Sequence, residues 1–160
     1  MNKLSQLIGN ALFWVLWPLI YVYLHGSSRV RVVVFSGSRV LLLKNWISNG
    51  RFSLSGGGMA RGEDAKSAVV REIREELGIN VDLSKLSLIK PKFLLRELGF
   101  KYFCYLYELE ISVDTKMSRQ KLEIAEIKWF SIDELSKKNN LTKAAKYGLA
   151  IWSKSRHLLD

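Results

Sequence analysis

Residues 56–79 constrain the fold of this chain more than any other stretch, because three glycines lead directly into a helix with an acidic face. At about 100° per residue, Glu72, Glu75 and Glu76 fall within about a third of the helix circumference. The apolar residues fall on a different side of the helix, and they are Val69, Val70, Ile73 and Leu77. Such a helix buries one face and crowds like charges on another, so their repulsion must be compensated.

The remaining pattern predicts a mixed sheet with a few helices. Asp64 places a negative charge at the start of the acidic helix and Gly78 is a natural C-cap, so we expect this helix over residues 64–77. Further period-two and β-branched runs predict strands at residues 29–35, 39–44, 52–54, 86–95, 100–111 and 126–130. Ser131 can cap a short helix that follows it, and a last helix is expected over residues 141–155. The sum predicts an α/β or α+β sandwich.

Three converging carboxylates favour a hard divalent cation with oxygen ligands, Mg²⁺ or Mn²⁺. The cation would relieve their repulsion and leave positions open for water and phosphate oxygens. The glycines Gly56, Gly57 and Gly58 permit close approach of the backbone to a ligand. Backbone amides at a loop-to-helix junction suit anionic groups, so these glycines are predicted to bind substrate.

The stretch resembles the signature of the Nudix hydrolase family, G-x5-E-x7-R-E-U-x-E-E-x-G-U, where U is a bulky aliphatic residue. Gly57 is the first glycine and Glu63 the first glutamate. The later defined positions are all filled, by Arg71, Glu72, Ile73, Glu75, Glu76, Gly78 and Ile79. Many members have proline before the glycines where this chain has Ser55, and we expect that departure to touch no metal ligand.

The resemblance implies an α/β/α sandwich with a mixed sheet. It also implies metal-dependent hydrolysis of a nucleoside diphosphate linked to another moiety. The metal ligands would be Glu72, Glu75 and Glu76, with a carbonyl of Gly56 or Gly57 as a further ligand. Arg71 would belong to the catalytic set with Glu75 and orient a glutamate. Glu63 would contact the metal indirectly or pair with the start of the helix.

Hydrolysis of a pyrophosphate also needs a general base within reach of the attacking water. In the Nudix family the base varies and often lies outside the signature helix. Glu123 lies six residues before Trp129, where many members carry a late glutamate, and we predict that it is the base. Glu126 is the alternative.

Charge and composition narrow the partners and the compartment. The formal net charge of +10 favours anionic partners, which leaves phosphorylated small molecules, nucleic acid and acidic lipid open. Cys104 is the only cysteine, which excludes an internal disulfide and fits a reducing cytoplasm; we expect it to be a buried apolar residue. The two histidines, His25 and His157, lie at opposite ends of the chain, which argues against a zinc site or a histidine triad.

The N-terminal segment is strongly apolar from residue 4 to residue 24 and is marginal in length for a membrane span. We expect a hydrophobic helix within residues 1–26, kinked near Pro18, before a hydrolase domain over residues 27–160. Arg29 and Arg31 follow it as a cytoplasmic flank would. The segment must be buried against the domain, a second copy or lipid, and we expect it to lie outside the catalytic machinery.

The substrate stays open at this stage. Aromatic residues that could stack on a base are Trp46, Phe52, Phe93, Phe100 and Tyr102, and basic residues that could meet extra phosphates are Lys90, Lys92, Arg96 and Lys101. Three hypotheses follow: a hydrolase of a soluble nucleotide derivative, the same enzyme held at a membrane and acting on a phosphorylated lipid precursor, or a non-catalytic nucleotide- or RNA-binding module. The intact glutamates favour the first, and a homodimer is compatible with each.

Overall fold

A five-stranded mixed sheet forms the centre of the protein. The computed structural model describes residues 3–46, 50–118 and 123–156, with side chains from Leu7 onward. The strands are β1 (Ser28–Ser36), β2 (Arg39–Asn45), β3 (Ser87–Glu97), β4 (Phe100–Glu110) and β5 (Ile124–Ser131). Their order is β3-β4-β1-β2-β5, and β1 pairs with β4 in parallel while the other pairs are antiparallel.

Helices cover both faces of this sheet. They are α1 (Lys3–Val15), α2 (Trp17–Leu24), α3 (Ala65–Leu77), α4 (Ile132–Ser136) and α5 (Lys143–Ser155). Because side chains alternate along a strand, Val32 and Val34 of β1 pack with α3 whereas Val33 and Phe35 pack with Trp152 of α5. The predicted α/β/α sandwich is therefore confirmed.

The acidic helix begins and ends where its sequence predicts. The Asp64 carboxylate accepts hydrogen bonds from the backbone N–H groups of Lys66 and Ser67, at 3.0 Å each, and caps α3. Gly78 ends the helix in the left-handed conformation at φ 68°. The predicted core face is buried at Val69, Ile73 and Leu77, together with Ala68, and Val70 packs against that cluster while partly exposed.

The loop before the glycines differs from its prediction. The expected strand at residues 52–54 forms only isolated bridges, among them the pair between Leu43 and Ser53 with hydrogen bonds of 2.8 and 2.9 Å. These bonds hold the loop before the glycines against β2.

Cys104 is fully buried, as predicted, and burial raises the pKa of its thiol to about 11. His157 lies outside the described residues.

The N-terminal segment forms two helices that meet at a bend of 63°. The bend lies next to Pro18, in the first turn of α2, as the sequence predicts. Tyr21 and Leu24 of α2 pack on a small core cluster that includes Phe100 and Tyr102. The two helices also expose large apolar residues, namely Leu7, Ile8, Trp14, Val15, Leu19, Val22 and Tyr23.

No single helix in the described ranges is both long enough and apolar enough to cross a membrane. The bent pair Leu7–Val15 and Trp17–Leu24 meets those two requirements only when its two helices are taken together.

Candidate active site

A cavity of about 260 Å³ lies where the glycine loop, α3, β1 and the N-terminal helices meet. Its charged lining comes from Glu72, Glu76, Glu97, Glu123, Arg29, Arg31 and Arg51. Its apolar lining comes from Phe13, Ile20, Leu24, Leu54, Leu98 and Phe100. The volume is near the lower end of the roughly 300–1,000 Å³ that is typical of small-molecule sites, so the cavity suits a small ligand.

Glu76 is the most deeply buried carboxylate of the acidic helix, with 6% of its surface exposed. Burial raises the pKa of Glu76 to about 7, although two hydrogen bonds favour its charged form. The Ser55 hydroxyl donates to Glu76 Oε2 at 2.5 Å, and the Gly56 N–H donates to the same oxygen at 2.9 Å. The expectation that Ser55 touches no metal ligand was therefore wrong, because its hydroxyl binds one of the predicted ligands.

At two of the three glycines, close contacts leave no room for a Cβ unless a neighbouring group moves. Gly56 has φ 121°, and a Cβ there would overlap the carbonyl oxygen of Val30 in β1. A Cβ at Gly57 would overlap the carboxylate of Glu72. The Gly57 carbonyl accepts a hydrogen bond from the Val30 N–H at 2.9 Å, which joins the loop to β1 and leaves one lone pair of that oxygen for another partner.

Arg71 organises the carboxylates around it. Its guanidinium donates to both carboxylate oxygens of Glu63 at 2.9 Å, to Glu72 at 2.8 Å and to Glu75 at 3.2 Å. It also donates to the Gly58 carbonyl at 2.8 Å and so ties α3 to the glycine loop. The hydrogen bonds from Arg71 lower the pKa of Glu63, and burial raises the pKa of Glu72 despite the same arginine.

The three predicted ligands do not converge in this arrangement. Glu72 and Glu76 line the cavity, whereas the Glu75 side chain lies outside it, is 47% exposed and pairs with Arg71. Among the described residues, no three acidic, histidine or cysteine side chains are placed to hold a metal ion together. Glu75 lies instead on the exposed side of Arg71, whose Nη1 donates to both Glu72 and Glu75.

The donor set nevertheless fits a hard divalent cation. Glu72 and Glu76 both line one cavity, and burial raises the pKa of both carboxyl groups because it disfavours their charged forms. Oxygen ligands of this kind are those that Mg²⁺ and Mn²⁺ prefer. The glycine loop adds backbone carbonyl groups beside them, so Glu72, Glu76 and this loop would hold the ion.

The structure separates the two candidates for the general base. Glu123 lines the cavity, and its own carbonyl accepts a hydrogen bond from the Trp46 N–H at 2.8 Å, which fixes its backbone beside β2. Glu126 lies within β5, outside the cavity, and its carboxylate pairs with Lys44 of β2 at 3.5 Å. Geometry therefore favours Glu123.

Arg29 and Arg31 were interpreted from the sequence as a membrane flank, and the structure corrects that interpretation. Both lie in β1 and line the cavity together with Arg51. Burial, and then the positive charge of Arg31, lower the pKa of Arg29 to about 10. The alternation R-V-R-V was the available signal, because it places both arginines on the same face of a strand.

The N-terminal helices also contribute to the cavity, although the sequence placed them outside the catalytic machinery. Phe13 of α1, together with Ile20 and Leu24 of α2, forms part of its apolar wall. Nothing in the local sequence signals this contact, since it depends on how the bent pair packs on β4. Among the aromatic residues considered for stacking on a base, Phe100 lines the cavity. The basic residues Lys90, Lys92, Arg96 and Lys101 are exposed strand residues that lie outside it.

Comparison with known proteins gives a family and a fold. A family model described as the NUDIX domain matches residues 27–150. No curated protein sequence matches the chain significantly. Among solved structures, a MutT NUDIX hydrolase from Burkholderia pseudomallei is similar with a TM-score of 0.68 at 23% identity, over 79% of this chain and 97% of that one.

Two further structures share the fold at lower identity. An Ap4A hydrolase from C. elegans has a TM-score of 0.64 at 17% identity, over 82% of this chain and 97% of that one. A bifunctional NMN adenylyltransferase/ADP ribose pyrophosphatase from Francisella tularensis, complexed with AMP and Mn, has a TM-score of 0.66 at 14% identity. That alignment covers 92% of this chain and 46% of the larger protein.

Proposed function

Because the chain belongs to the Nudix hydrolase family, we propose that it is a divalent-metal-dependent enzyme that cleaves a pyrophosphate bond in a nucleoside diphosphate derivative. The substrate would be of the nucleotide or nucleotide-sugar type. The observation that carries this proposal is that Glu72, Glu76, Glu123 and the glycine loop line one cavity of small-molecule size. The hydrolase domain would extend over residues 27–160, and the single buried cysteine is consistent with a cytoplasmic enzyme.

The proposed ligands of Mg²⁺ or Mn²⁺ are Glu72 and Glu76, with a backbone carbonyl of Gly57; Glu75, predicted from the sequence as a third ligand, would have to leave Arg71 to join them. When bound, the ion would acidify a water molecule and neutralise charge on phosphate oxygens. Ser55 and Gly56 hold the Glu76 carboxylate in one orientation, and Arg71 does the same for Glu72. Arg71 and Glu63 are therefore proposed to position the ligands without touching the substrate.

Glu123 is the proposed general base. A carboxylate in this role accepts a proton from the attacking water, and it must lie within hydrogen-bond reach of that water. Glu123 faces the same cavity as the two buried glutamates but belongs to a different segment, so it can act from another side of the substrate. The water attacks phosphorus, the bridging oxygen leaves with the second phosphoryl group, and two phosphorylated products result.

The structural neighbours support a nucleotide substrate. Two of these neighbours are an Ap4A hydrolase and a bifunctional NMN adenylyltransferase/ADP ribose pyrophosphatase, and the second holds AMP and Mn. This chain shares their fold, and its cavity combines an aromatic residue, Phe100, with charged groups of both signs.

The test is a hydrolysis screen with the full chain freed of metal. Nucleoside triphosphates, dinucleoside polyphosphates and nucleotide sugars are incubated with Mg²⁺, with Mn²⁺ or with a chelator, and the products are identified by chromatography. We expect turnover only with metal, a nucleoside monophosphate among the products, and near-complete loss of activity in Glu76→Gln. Glu110→Gln is the matched control because Glu110 lies at the exposed end of β4. Turnover in chelator that matches the rate with metal would refute the proposal.

A second candidate is the same enzyme held at a membrane and acting on a phosphorylated lipid precursor. The observation that favours it is the exposed apolar side of the bent pair of helices, whose other side lines the cavity. Sedimentation with acidic and with zwitterionic vesicles tests this candidate, and light scattering without vesicles tests self-association. Binding to vesicles with hydrolysis of a lipid diphosphate would support it, whereas a dimer that ignores vesicles would assign the apolar side to a second copy.

A further inference from the structure

Two arginines of β1 place positive charge in the cavity, beside the glutamates Glu72, Glu76, Glu97 and Glu123 that also line it. Arg29 and Arg31 are two residues apart in the strand, so their side chains leave the same face of the sheet. Arg51, from the loop before the glycines, lines the same cavity. Within residues 3–46, 50–118 and 123–156, none of the three forms a salt bridge.

One nitrogen of these arginines is buried without a hydrogen-bond partner. The Nε atom of Arg31 is shielded from solvent and has no acceptor among the described residues. A buried donor without a partner destabilises a fold by about 1–3 kcal/mol, and more when the group is charged. Arg29 and Arg31 also repel each other. On α3 the crowded like charges are carboxylates, and Arg71 offsets their repulsion.

A bound anion would satisfy the buried Nε donor of Arg31 and would reduce the repulsion between Arg31 and Arg29. The guanidinium group carries its donors in a planar fork that matches the oxygens of a phosphoryl group, and such charge-assisted pairs are stronger than neutral hydrogen bonds. The cavity is closed on one side by Phe13, Ile20 and Leu24, and its volume of about 260 Å³ suits a small phosphorylated molecule better than a polymer.

We propose that Arg29, Arg31 and Arg51 form an anion subsite that binds a phosphoryl group of the substrate. The inference rests on the proposed function, because it assigns part of the same substrate. A diphosphate would then place one phosphoryl group against the arginines and its neighbour toward Glu72 and Glu76. The arginines thereby select substrates with a second anionic group, and the family signature contains no residue with this role.

The probe is inorganic phosphate, titrated into the full chain in the presence of a chelator and followed by calorimetry. We expect saturable binding that weakens about 10- to 100-fold in Arg31→Gln and in Arg51→Gln, since each variant loses a charged hydrogen-bond partner. Arg39→Gln is the matched control: Arg39 is exposed at the start of β2, outside the cavity, and its loss changes the net charge equally. Thermal unfolding verifies that each variant is folded, and Arg51→Gln keeps the test decisive if Arg31→Gln does not fold.

In the titration itself, two results would overturn the proposal: no saturable phosphate binding by the folded full chain, or equal weakening in Arg39→Gln. Competition identifies the source of the phosphoryl group. Displacement of phosphate by AMP assigns the subsite to nucleotides, displacement by a short alkyl phosphate alone assigns it to lipid-type substrates, and displacement by neither contradicts it. The titration needs no turnover, so it separates the subsite from the proposed function. Glu76→Gln should keep phosphate binding whether or not hydrolysis is found.

Discussion

The three adjacent glycines allow a sharp test of the site, because the structure predicts a different outcome at each one. At Gly57 the backbone is not in the left-handed region, so alanine can adopt it. The added Cβ would lie 2.5 Å from Oε2 of Glu72 and closer still to Oε1, whereas ordinary contact begins at 3.4 Å, so the carboxylate must move by about 1 Å. Arg71 holds that carboxylate at 2.8 Å, and the movement breaks this ion pair or displaces the arginine with it.

We expect Gly57→Ala to lose activity while it stays folded. A misplacement of about 1 Å in a catalytic group reduces the rate on the order of 10²-fold. The carboxylate of Glu72 is the end of a flexible side chain, so the free energy of unfolding should fall by less than about 1 kcal/mol and the melting temperature by no more than about 4 °C. Turnover on the best substrate of the screen and a calorimetric scan measure the two effects separately.

Gly56 and Gly58, the two neighbours of Gly57, provide the comparison. Gly56→Ala forces a Cβ onto the Val30 carbonyl at φ 121°, so it should lower the free energy of unfolding by at least about 2 kcal/mol and the melting temperature by at least about 4 °C. In Gly58→Ala the nearest atoms to the Cβ are Tyr23 Oη at 3.6 Å and Arg29 Nη1 at 3.8 Å, so the melting temperature should not fall and activity should drop less than tenfold. Equal activity of Gly57→Ala and Gly58→Ala would refute the placement of Glu72.

Three further predictions concern groups around the cavity. Glu123→Gln should lower kcat by about 10²- to 10⁴-fold with little change in metal affinity, and by more than Glu126→Gln does; the reverse order in steady-state kinetics would move the base to Glu126. Ser55→Ala removes a donor from a buried carboxylate and should lower the melting temperature of the metal-free protein by about 3–10 °C in calorimetry; an unchanged value would contradict the hydrogen bond to that carboxylate. Phe13→Ala should raise KM more than Leu19→Ala, because only Phe13 lines the cavity while Leu19 is 70% exposed; equal KM values would place α1 outside the site.

Local sequence patterns predicted the helices and strands that interactions between neighbouring residues determine. The acidic helix carries its own cap at Asp64 and its own end at Gly78, and the hairpin of β1 and β2 follows a period-two pattern around a tight turn. The parallel pairing of β1 with β4 joins residues 75 positions apart, as between Val32 and Tyr107, and no local pattern encodes it. Residues 52–54 have strand-like composition, yet the loop reaches β2 only at isolated bridges.

The candidate site was predictable only in the part that the family resemblance covers, within the signature helix and at the late glutamate. Spacing on one helix identified Glu72 and Glu76, and position relative to Trp129 identified Glu123. The bond from Ser55 to Glu76, the orphaned Arg31 and the apolar wall at Phe13 are contacts between distant segments. Such contacts depend on how the strands and helices pack, so single-sequence reasoning assigned Ser55 no contact and placed Arg31 at a membrane.

Locating Mn²⁺ by anomalous scattering would test the proposed metal site itself. Crystals of the full chain and of Glu76→Gln would be soaked in Mn²⁺ at a concentration that supports turnover. We expect an ordered ion in the cavity within coordination distance of Glu72 and Glu76, and loss of that ion in the variant. An ion bound elsewhere, or one that persists unchanged in Glu76→Gln, would contradict the assignment of these carboxylates as the metal site.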